Sequence, residues 1–230
     1  MINRVFVRGA LTLLASLCLA GGAWAQHERW EPNIAAFEAR DRENPPEPGG
    51  IVFVGSSTIV GWKVKEAFPD LPVINRGFGG SQYADSAHFA PRIVIPYRPK
   101  VVVFYAGDND ISSGKSPEQC RDDVVDLVRV IREALPETRL IWVPIKACGS
   151  RWAHRARQAR ANRLIAEYLA GQWDTAWFDM DAIVINDEGG PRDELFLADR
   201  LHFNQAGYDQ LNEALRPLLD AAYHSTSIAD

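Results

Sequence analysis

The sequence predicts an α/β fold, a three-layer α/β/α sandwich in which a parallel sheet lies between two layers of helices. The first observation is a set of five apolar segments that read as strands, at residues 51–54, 73–74, 101–105, 140–145 and 176–178. Helical segments separate these strands, which favours parallel pairing through crossover helices. The first and third segments are apolar without alternation, as in strands covered on both faces.

The first strand leads directly into a turn that carries hydroxyl groups. Residues 51–54 end at Gly55, and Ser56 and Ser57 follow. Glycine permits backbone angles that other residues resist, and small polar residues commonly begin helices. In open parallel sheets, ligands bind outside the carboxyl ends of the strands. Ser57 is therefore a candidate nucleophile, and the alternative is that both serines only cap a helix.

Apolar periodicity and end signals predict the helices. Ser116 before Pro117 marks the start of a helix, and Asn204 marks the start of the last one. A helix is expected over residues 82–90, with Pro91 ending it because proline lacks the N–H that a helix needs.

Three more polar landmarks follow strand ends or precede the last helix: the glycine-rich loop 75–81, Asn109, and Asp199 with His202. The loop is not a dinucleotide fingerprint, because the third glycine of that pattern would fall at Gln82. It also lacks the Gly-Lys-Ser/Thr of a phosphate loop. Acidic residues flank Asn109 as at the start of a calcium loop, but the glycine and glutamate of such a loop are missing at the required offsets.

These landmarks match the needs of acyl transfer, which are a nucleophile, a base, a group that orients the base and donors for an oxyanion. Residues 53–57, 75–80, 107–110 and 199–202 also resemble, in order and spacing, the four sequence blocks of the SGNH (GDSL-type) hydrolase family, in its lysophospholipase-like and acetylhydrolase-like branch. The resemblance extends from Ile51 to about Leu219. It implies a flavodoxin-like five-stranded parallel sheet and hydrolase activity without a metal or organic cofactor.

The resemblance also implies a role for each matching residue. Ser57 would attack the acyl carbon, His202 would take its proton, and Asp199 would orient the imidazole. The backbone N–H groups of Ser57 and Gly80, with the side-chain amide of Asn109, would form the oxyanion hole.

The chain departs from the family pattern at two positions. Ser56 stands where the family usually has aspartate, and Asp108 stands where a small polar residue is more usual. Counting from Gly55 makes Ser57, rather than Ser56, the expected nucleophile. Asp187 and Asp193 are alternatives to Asp199, although neither has its three-residue relation to the histidine. The other histidines are expected to be surface or structural residues, and they are His27, His88, His154 and His224.

Two residues after the fourth strand are candidates for substrate contact. Trp152 is expected at the rim of the site, and Arg151 is expected to meet an anionic substrate. The alternative is a core position, which is where most tryptophans of such a domain lie.

The N-terminus reads as a secretory signal peptide. Arg4 and Arg8 precede a short apolar run, and Ala23-Trp24-Ala25 fits a cleavage site. We expect cleavage after Ala25, a single domain over residues 26–230, and a secreted or periplasmic protein without a stable membrane anchor. Export would permit a disulfide between Cys120 and Cys148, and two separate thiols are the alternative.

The net charge of −5 argues against a nucleic acid partner. No Cys/His cluster in the sequence has the spacing of metal ligands. The predicted function is therefore a serine esterase that hydrolyses small-molecule carboxylic esters, with a short acyl group. The substrate classes are acetylated sugars, simple esters and lysolipids, and thioesters remain open. The alternative is a catalytically silent module that binds carbohydrate or lipid. The sequence does not indicate an oligomeric state.

Overall fold

The structure, a computed structural model, describes residues 27–225. Its sheet has five strands in the order β2-β1-β3-β4-β5, and every pair is parallel. The strands are β1 (Ile51–Gly55), β2 (Val73–Gly77), β3 (Val101–Tyr105), β4 (Arg139–Val143) and β5 (Thr175–Trp177). The predicted five-stranded parallel sheet is confirmed.

The helices of the described residues alternate with the strands. They are α1 (Glu31–Glu43), α2 (Ser57–Gly61), α3 (Val64–Ala67), α4 (Tyr83–Ile93), α5 (Asp108–Ser112), α6 (Pro117–Ala134), α7 (Arg155–Leu169), α8 (Asp181–Val184) and α9 (Gln205–His224). Short 3-10 helices occur at Glu28–Trp30, Ile95–Tyr97, Gly149–His154 and Asp193–Leu195.

Two cores cover the two faces of the sheet, because successive strand residues point to opposite sides. Val52 and Val54 of β1 pack with α1, α4, α6 and α7. Ile51 and Phe53 pack with α2, α3, α8 and α9. The predicted α/β/α sandwich is therefore confirmed.

The predicted helix starts are confirmed. The Ser116 hydroxyl accepts the Gln119 N–H at 3.1 Å, and the Asn204 side chain accepts the Gly207 N–H at 3.0 Å. The expected end at Pro91 is wrong, because α4 continues through it to Ile93. Proline removes only one intrahelical hydrogen bond there, and burial of Ile93 holds the last turn against the core.

Cys120 and Cys148 are both free thiols in the structure. They belong to the cores on opposite faces of the sheet, so the sheet separates them and a disulfide between them is excluded. Burial raises the pKa of the Cys120 thiol to about 12, and burial also raises the pKa of the Cys148 thiol above its ordinary value.

The expected signal peptide, residues 1–25, lies outside the described residues. Within residues 27–225, no helix combines the length and apolar character needed to cross a membrane.

Candidate active site

The carboxyl ends of four strands meet at one edge of the sheet. Gly55 at the end of β1 pairs with Gly77 of β2 and Tyr105 of β3, and Tyr105 pairs with Val143 of β4. Because these strands end at the same level, the loops that follow them converge. Ser57 and Asn109 are among the residues that the loops carry to this edge.

The turn between β1 and α2 requires glycine at its first position. Gly55 has φ +139°, and a Cβ atom there would lie 1.8 Å from the carbonyl oxygen of Tyr105. The next N–H, that of Ser56, donates to the same carbonyl at 3.0 Å. This close approach turns the chain so that Ser57 becomes the first residue of α2.

The two serines differ in their surroundings. Ser56 is buried and holds the N-cap position, but its side chain makes no capping hydrogen bond. Of the capping alternative, the structure therefore retains the N-cap position of Ser56 but no side-chain cap. The Ser57 hydroxyl instead lies 3.0 Å from Nε2 of His202, a residue far away in the sequence.

A hydrogen-bonded chain joins Ser57, His202 and Asp199. Nδ1 of His202 lies 2.6 Å from the Asp199 carboxylate, on the side of the ring opposite Ser57. The His202 and Asp199 side chains are 37% and 47% exposed. Ser57 is also partly exposed, so a substrate can reach these side chains from solvent.

The Asp199 carboxylate determines which nitrogen of His202 carries the proton. The side-chain hydrogen bond from His202 lowers the pKa of Asp199 to about 2, and the backbone N–H groups of His202 and Leu201 add to this. An ionised carboxylate only accepts hydrogen bonds, so Nδ1 of His202 must donate. Nε2 of the neutral ring is then free to accept the hydroxyl proton of Ser57.

The segment around His202 is fixed by its own contacts. The N–H of Leu197 donates to the carbonyl of His202 at 2.8 Å, and Arg200 adopts φ +53° between them. Asp193, an alternative to Asp199, is occupied by an ion pair with Arg200 at 2.7 Å. Asp187, the other alternative, lies in the turn that the bridge between residues 185 and 191 closes.

The glycine loop and Asn109 meet beside this chain of residues. Nδ2 of Asn109 donates to the carbonyl of Ser81 at 3.0 Å. An amide nitrogen carries two protons, so one remains for a second acceptor. Gly80, at the exposed tip of the loop, has φ +79°, which is a glycine conformation.

Two residues that sequence reasoning missed as site residues bind the same loop. The indole N–H of Trp30 donates to the carbonyl of Gly79 at 2.9 Å, and Arg29 donates to the carbonyl of Gly80 at 3.1 Å. Nothing in the sequence around Trp30 indicates a contact with a loop so far along the chain.

A buried ionic cluster underlies Asn109. Lys146, only 1% exposed, donates to the carboxylate of Asp108 at 2.5 Å and to the hydroxyl of Tyr105 at 2.9 Å. The Tyr105 hydroxyl and Gln158 also donate to Asp108. Burial, and then the Asp108 charge, raise the pKa of Tyr105 well above its ordinary value, which keeps it a donor. The unusual Asp108 of the sequence thus has a structural partner in Lys146.

Trp152, expected at the rim, and Arg151, expected to meet an anionic substrate, both lie in the 3-10 helix Gly149–His154. This helix is joined to the Asp199–His202 segment because Ser150 donates its N–H to the carbonyl of Arg200 at 3.0 Å. Trp152 is 37% exposed, so the core alternative is wrong for it. The guanidinium of Arg151 donates to the hydroxyl of Ser112.

The arrangement has the parts that nucleophilic acyl transfer requires. A hydroxyl faces the free nitrogen of an imidazole, and an ionised carboxylate orients that imidazole. Over residues 27–225 the structure contains no group of three or more His, Cys, Asp or Glu side chains that could hold a metal ion.

Comparison with solved structures supports the fold. A GDSL-like lipase from Bacteroides thetaiotaomicron is 17% identical, with 86% of this chain and 98% of that chain covered and a TM-score of 0.66. A lipase/acylhydrolase from Enterococcus faecalis is 24% identical, with 74% and 95% covered and a TM-score of 0.62. A variant of an acetyl-xylooligosaccharide esterase from Geobacillus is 16% identical, with 78% and 98% covered and a TM-score of 0.60.

The sequence itself identifies the family. No curated protein matches the chain. The sequence model of the GDSL-like Lipase/Acylhydrolase family, however, matches residues 53–210, which include the serine, glycine and asparagine blocks and the Asp-x-x-His block. The resemblance noted in the sequence is thereby confirmed: this chain belongs to the GDSL-like lipase/acylhydrolase family and is a hydrolase.

Proposed function

We propose that the protein is a serine esterase that hydrolyses short-chain carboxylic esters, with Ser57, His202 and Asp199 as its catalytic triad. The observation that carries the proposal is the unbroken chain of hydrogen bonds from the Ser57 hydroxyl through the imidazole to the carboxylate, at 3.0 Å and 2.6 Å. Such a chain lets imidazole act as a general base near neutral pH.

In the acylation step, the Ser57 oxygen attacks the ester carbonyl carbon while Nε2 of His202 takes the hydroxyl proton. The C–O bond to the alcohol then breaks, and the imidazolium gives that proton to the leaving oxygen. Asp199 stabilises the imidazolium without taking its proton. Its low pKa, about 2, supports this role because the carboxylate stays ionised.

In the deacylation step, water attacks the acyl-enzyme and His202 again takes a proton. The ester bond to Ser57 breaks, the serine oxygen recovers its proton, and the carboxylic acid is released.

Three N–H donors are proposed to receive the oxyanion: the backbone N–H groups of Ser57 and Gly80, and the free amide proton of Asn109. The N–H of Ser57 is available because the first N–H groups of a helix have no intrahelical acceptor. Each such donor typically lowers the barrier by roughly 3–4 kcal/mol.

The exposure of the site supports a small acyl group. With the His202 and Asp199 side chains 37% and 47% exposed, a long acyl chain would gain little burial there. The proposed substrates are acetylated sugars and simple small esters, with lysolipids and thioesters as further classes to screen. The exposed ring of Trp152 beside the Asp199–His202 segment offers an apolar face to a sugar ring. The neighbouring Arg151 offers a positive charge to a substrate that carries an anionic group.

The test uses p-nitrophenyl acetate hydrolysis and fluorophosphonate labelling of wild type, Ser57→Ala and Ser56→Ala. We expect the wild type and Ser56→Ala to hydrolyse the ester and take the label, and Ser57→Ala to do neither. Labelling that survives Ser57→Ala but not Ser56→Ala would identify the other serine as the nucleophile. A wild type that neither hydrolyses esters nor takes the label would instead favour a silent binding module.

We also propose that residues 1–25 act as a signal peptide and that the mature protein is exported, with a single domain over residues 26–230. The support is the Arg4 and Arg8 start, the apolar run and the Ala23-Trp24-Ala25 site. N-terminal sequencing of protein recovered from the periplasm or the medium should begin at Gln26. Recovery of the protein only inside the cell with its N-terminus intact would contradict export.

A further inference from the structure

One peptide bond in the glycine loop carries both a proposed oxyanion donor and a carbonyl held by a distant side chain. The peptide unit that joins Gly79 to Gly80 consists of the Gly79 carbonyl and the Gly80 N–H. The indole N–H of Trp30 donates to that carbonyl at 2.9 Å. In a planar trans peptide the C=O and N–H point in opposite directions. Fixing the carbonyl on Trp30 therefore fixes the direction of the Gly80 N–H.

This peptide unit has little else to hold it. Glycine lies on both sides, so no Cβ atom restricts rotation of the unit about its two flanking bonds. Both glycines are exposed, and a Cβ atom on Gly80 would meet nothing within 4 Å. Within the described part of the chain, Trp30 is the hydrogen-bond donor that reaches the Gly79 carbonyl.

Trp30 is itself held firmly by its neighbours. Its side chain is buried, at 4% exposure, and its ring meets Phe78 edge-on at 6.0 Å between centroids. The guanidinium of Arg29 lies 3.6 Å from the centroid of the indole and donates to the carbonyl of Gly80 at 3.1 Å. In the preceding segment, Nδ1 of His27 lies 2.6 Å from the carboxylate of Asp85 on α4. The donor is thus held by its burial in the core and, through the preceding His27, by the side chain of Asp85 on α4.

We propose that Trp30 is a positioning residue of the esterase, whose indole N–H keeps the Gly79–Gly80 peptide turned so that the Gly80 N–H points into the oxyanion hole. This inference rests on the proposed function, which makes Gly80 a donor to the oxyanion. Without the indole N–H, the peptide unit also populates the flipped orientation, in which the Gly79 carbonyl oxygen points toward the hole and repels the developing negative charge.

A purely structural role for Trp30 makes a different prediction. If the tryptophan only fills space in the core, then the effect of a substitution depends on lost ring volume and is the same for any equally buried tryptophan. Trp142 provides that comparison. It is 2% exposed on β4, and its indole nitrogen is buried without a hydrogen-bond partner among the described residues.

The experiment compares Trp30→Phe with Trp142→Phe in the full-length protein, with kcat, KM and melting temperature measured for each. Both variants remove the same ring volume, but only the first removes a hydrogen bond to the loop. We expect Trp30→Phe to lower kcat about 3- to 10-fold, the shift that one neutral hydrogen bond produces. The largest fall in kcat that the flipped peptide could cause is roughly 100- to 1000-fold, which is the effect of removing a whole oxyanion donor. KM and the pH profile of kcat/KM should stay unchanged, because His202 is untouched. Trp142→Phe should keep the wild-type kcat.

Equal kcat for Trp30→Phe and Trp142→Phe, with wild-type hydrolysis that still depends on Ser57, would overturn the positioning role and leave the esterase proposal standing. If the wild type shows no hydrolysis that depends on Ser57, the proposed function is contradicted, and this inference with it. If Trp30→Phe does not fold, 3-benzothienylalanine at position 30 preserves the ring shape and lacks only the N–H. The same fall in kcat is expected from it, and full activity would reject the inference.

Discussion

The buried pair between Lys146 and Asp108 gives the sharpest prediction for stability. Lys146→Met removes the charge and keeps an apolar side chain of similar length, but it leaves the buried Asp108 carboxylate without its cation. The side chains are 1% and 7% exposed, so water cannot replace the ammonium group. Breaking such a pair from one side typically costs about 3–5 kcal/mol. Because Tyr105 and Gln158 still donate to the carboxylate, we expect a loss near the lower end, about 3 kcal/mol.

The assay is urea denaturation at neutral pH, where a shifted midpoint at constant m reports a change in stability. Lys63→Met is the matched control, since the side chain of Lys63 is 67% exposed and its pair with Glu66 is 3.4 Å long. That variant should lose less than about 0.5 kcal/mol. The double variant Lys146→Met/Asp108→Asn should recover more than half of the loss, because no buried charge remains unpaired. A loss below about 1 kcal/mol for Lys146→Met, or no recovery in the double variant, would show that the stability does not depend on pairing the buried Asp108 carboxylate with Lys146.

Three further variants test the site and its turn. Asn109→Ala should lower kcat roughly 100- to 1000-fold with little change in KM, as for other oxyanion donors. Asp199→Asn should lower kcat by about 10⁴-fold, because an amide can stabilise the wrong imidazole tautomer. With the pKa of Asp199 lowered from its ordinary value of 3.8 to about 2, its stabilising contribution is present above about pH 4 and is lost progressively as pH falls from there through 2. Gly55→Ala should yield no folded protein, because its Cβ would lie 1.8 Å from the carbonyl oxygen of Tyr105.

Steady-state kinetics and circular dichroism check all three. If folded Asn109→Ala has the wild-type kcat, the Asn109 amide does not serve in the oxyanion hole. If Asp199→Asn has the wild-type kcat, the Asp199 carboxylate does not take part in the mechanism. In acid denaturation, the free energy of unfolding of the wild type should fall more between pH 4 and pH 2 than that of Asp199→Asn. Parallel curves for the two proteins would contradict this. Gly61→Ala serves as the control for Gly55→Ala, because its added Cβ would meet only the end of the Tyr208 side chain. Equal folding yields for the two variants would contradict the strain argument.

Much of the fold was predictable because buried strands have apolar sequences. Strands β1 and β3 are covered on both faces of the sheet, and their residues are accordingly apolar without alternation. Because the segments that follow parallel strands meet at one edge of the sheet, the sequence alone predicts that Ser57 and Asn109 lie near each other.

The supporting contacts were not predictable, because they join residues whose local patterns have ordinary interpretations. The local sequence of Trp30 does not indicate its hydrogen bond to Gly79, which depends on how the segment before α1 packs on the sheet. Lys146 directly follows the predicted fourth strand, and its burial depends on the carboxylate of Asp108 at the end of the neighbouring strand. Pro91 reads as a helix end, whereas tertiary packing extends the helix past it.

The proposed nucleophile, Ser57, is identified by locating a covalent adduct. Wild-type protein treated with a fluorophosphonate, digested and analysed by tandem mass spectrometry should carry one phosphonyl group on the peptide that contains both Ser56 and Ser57. We expect fragment ions that place the group on Ser57, with none on Ser56. An adduct on Ser56, or on a serine elsewhere in the chain, would contradict the assignment of Ser57 as the nucleophile.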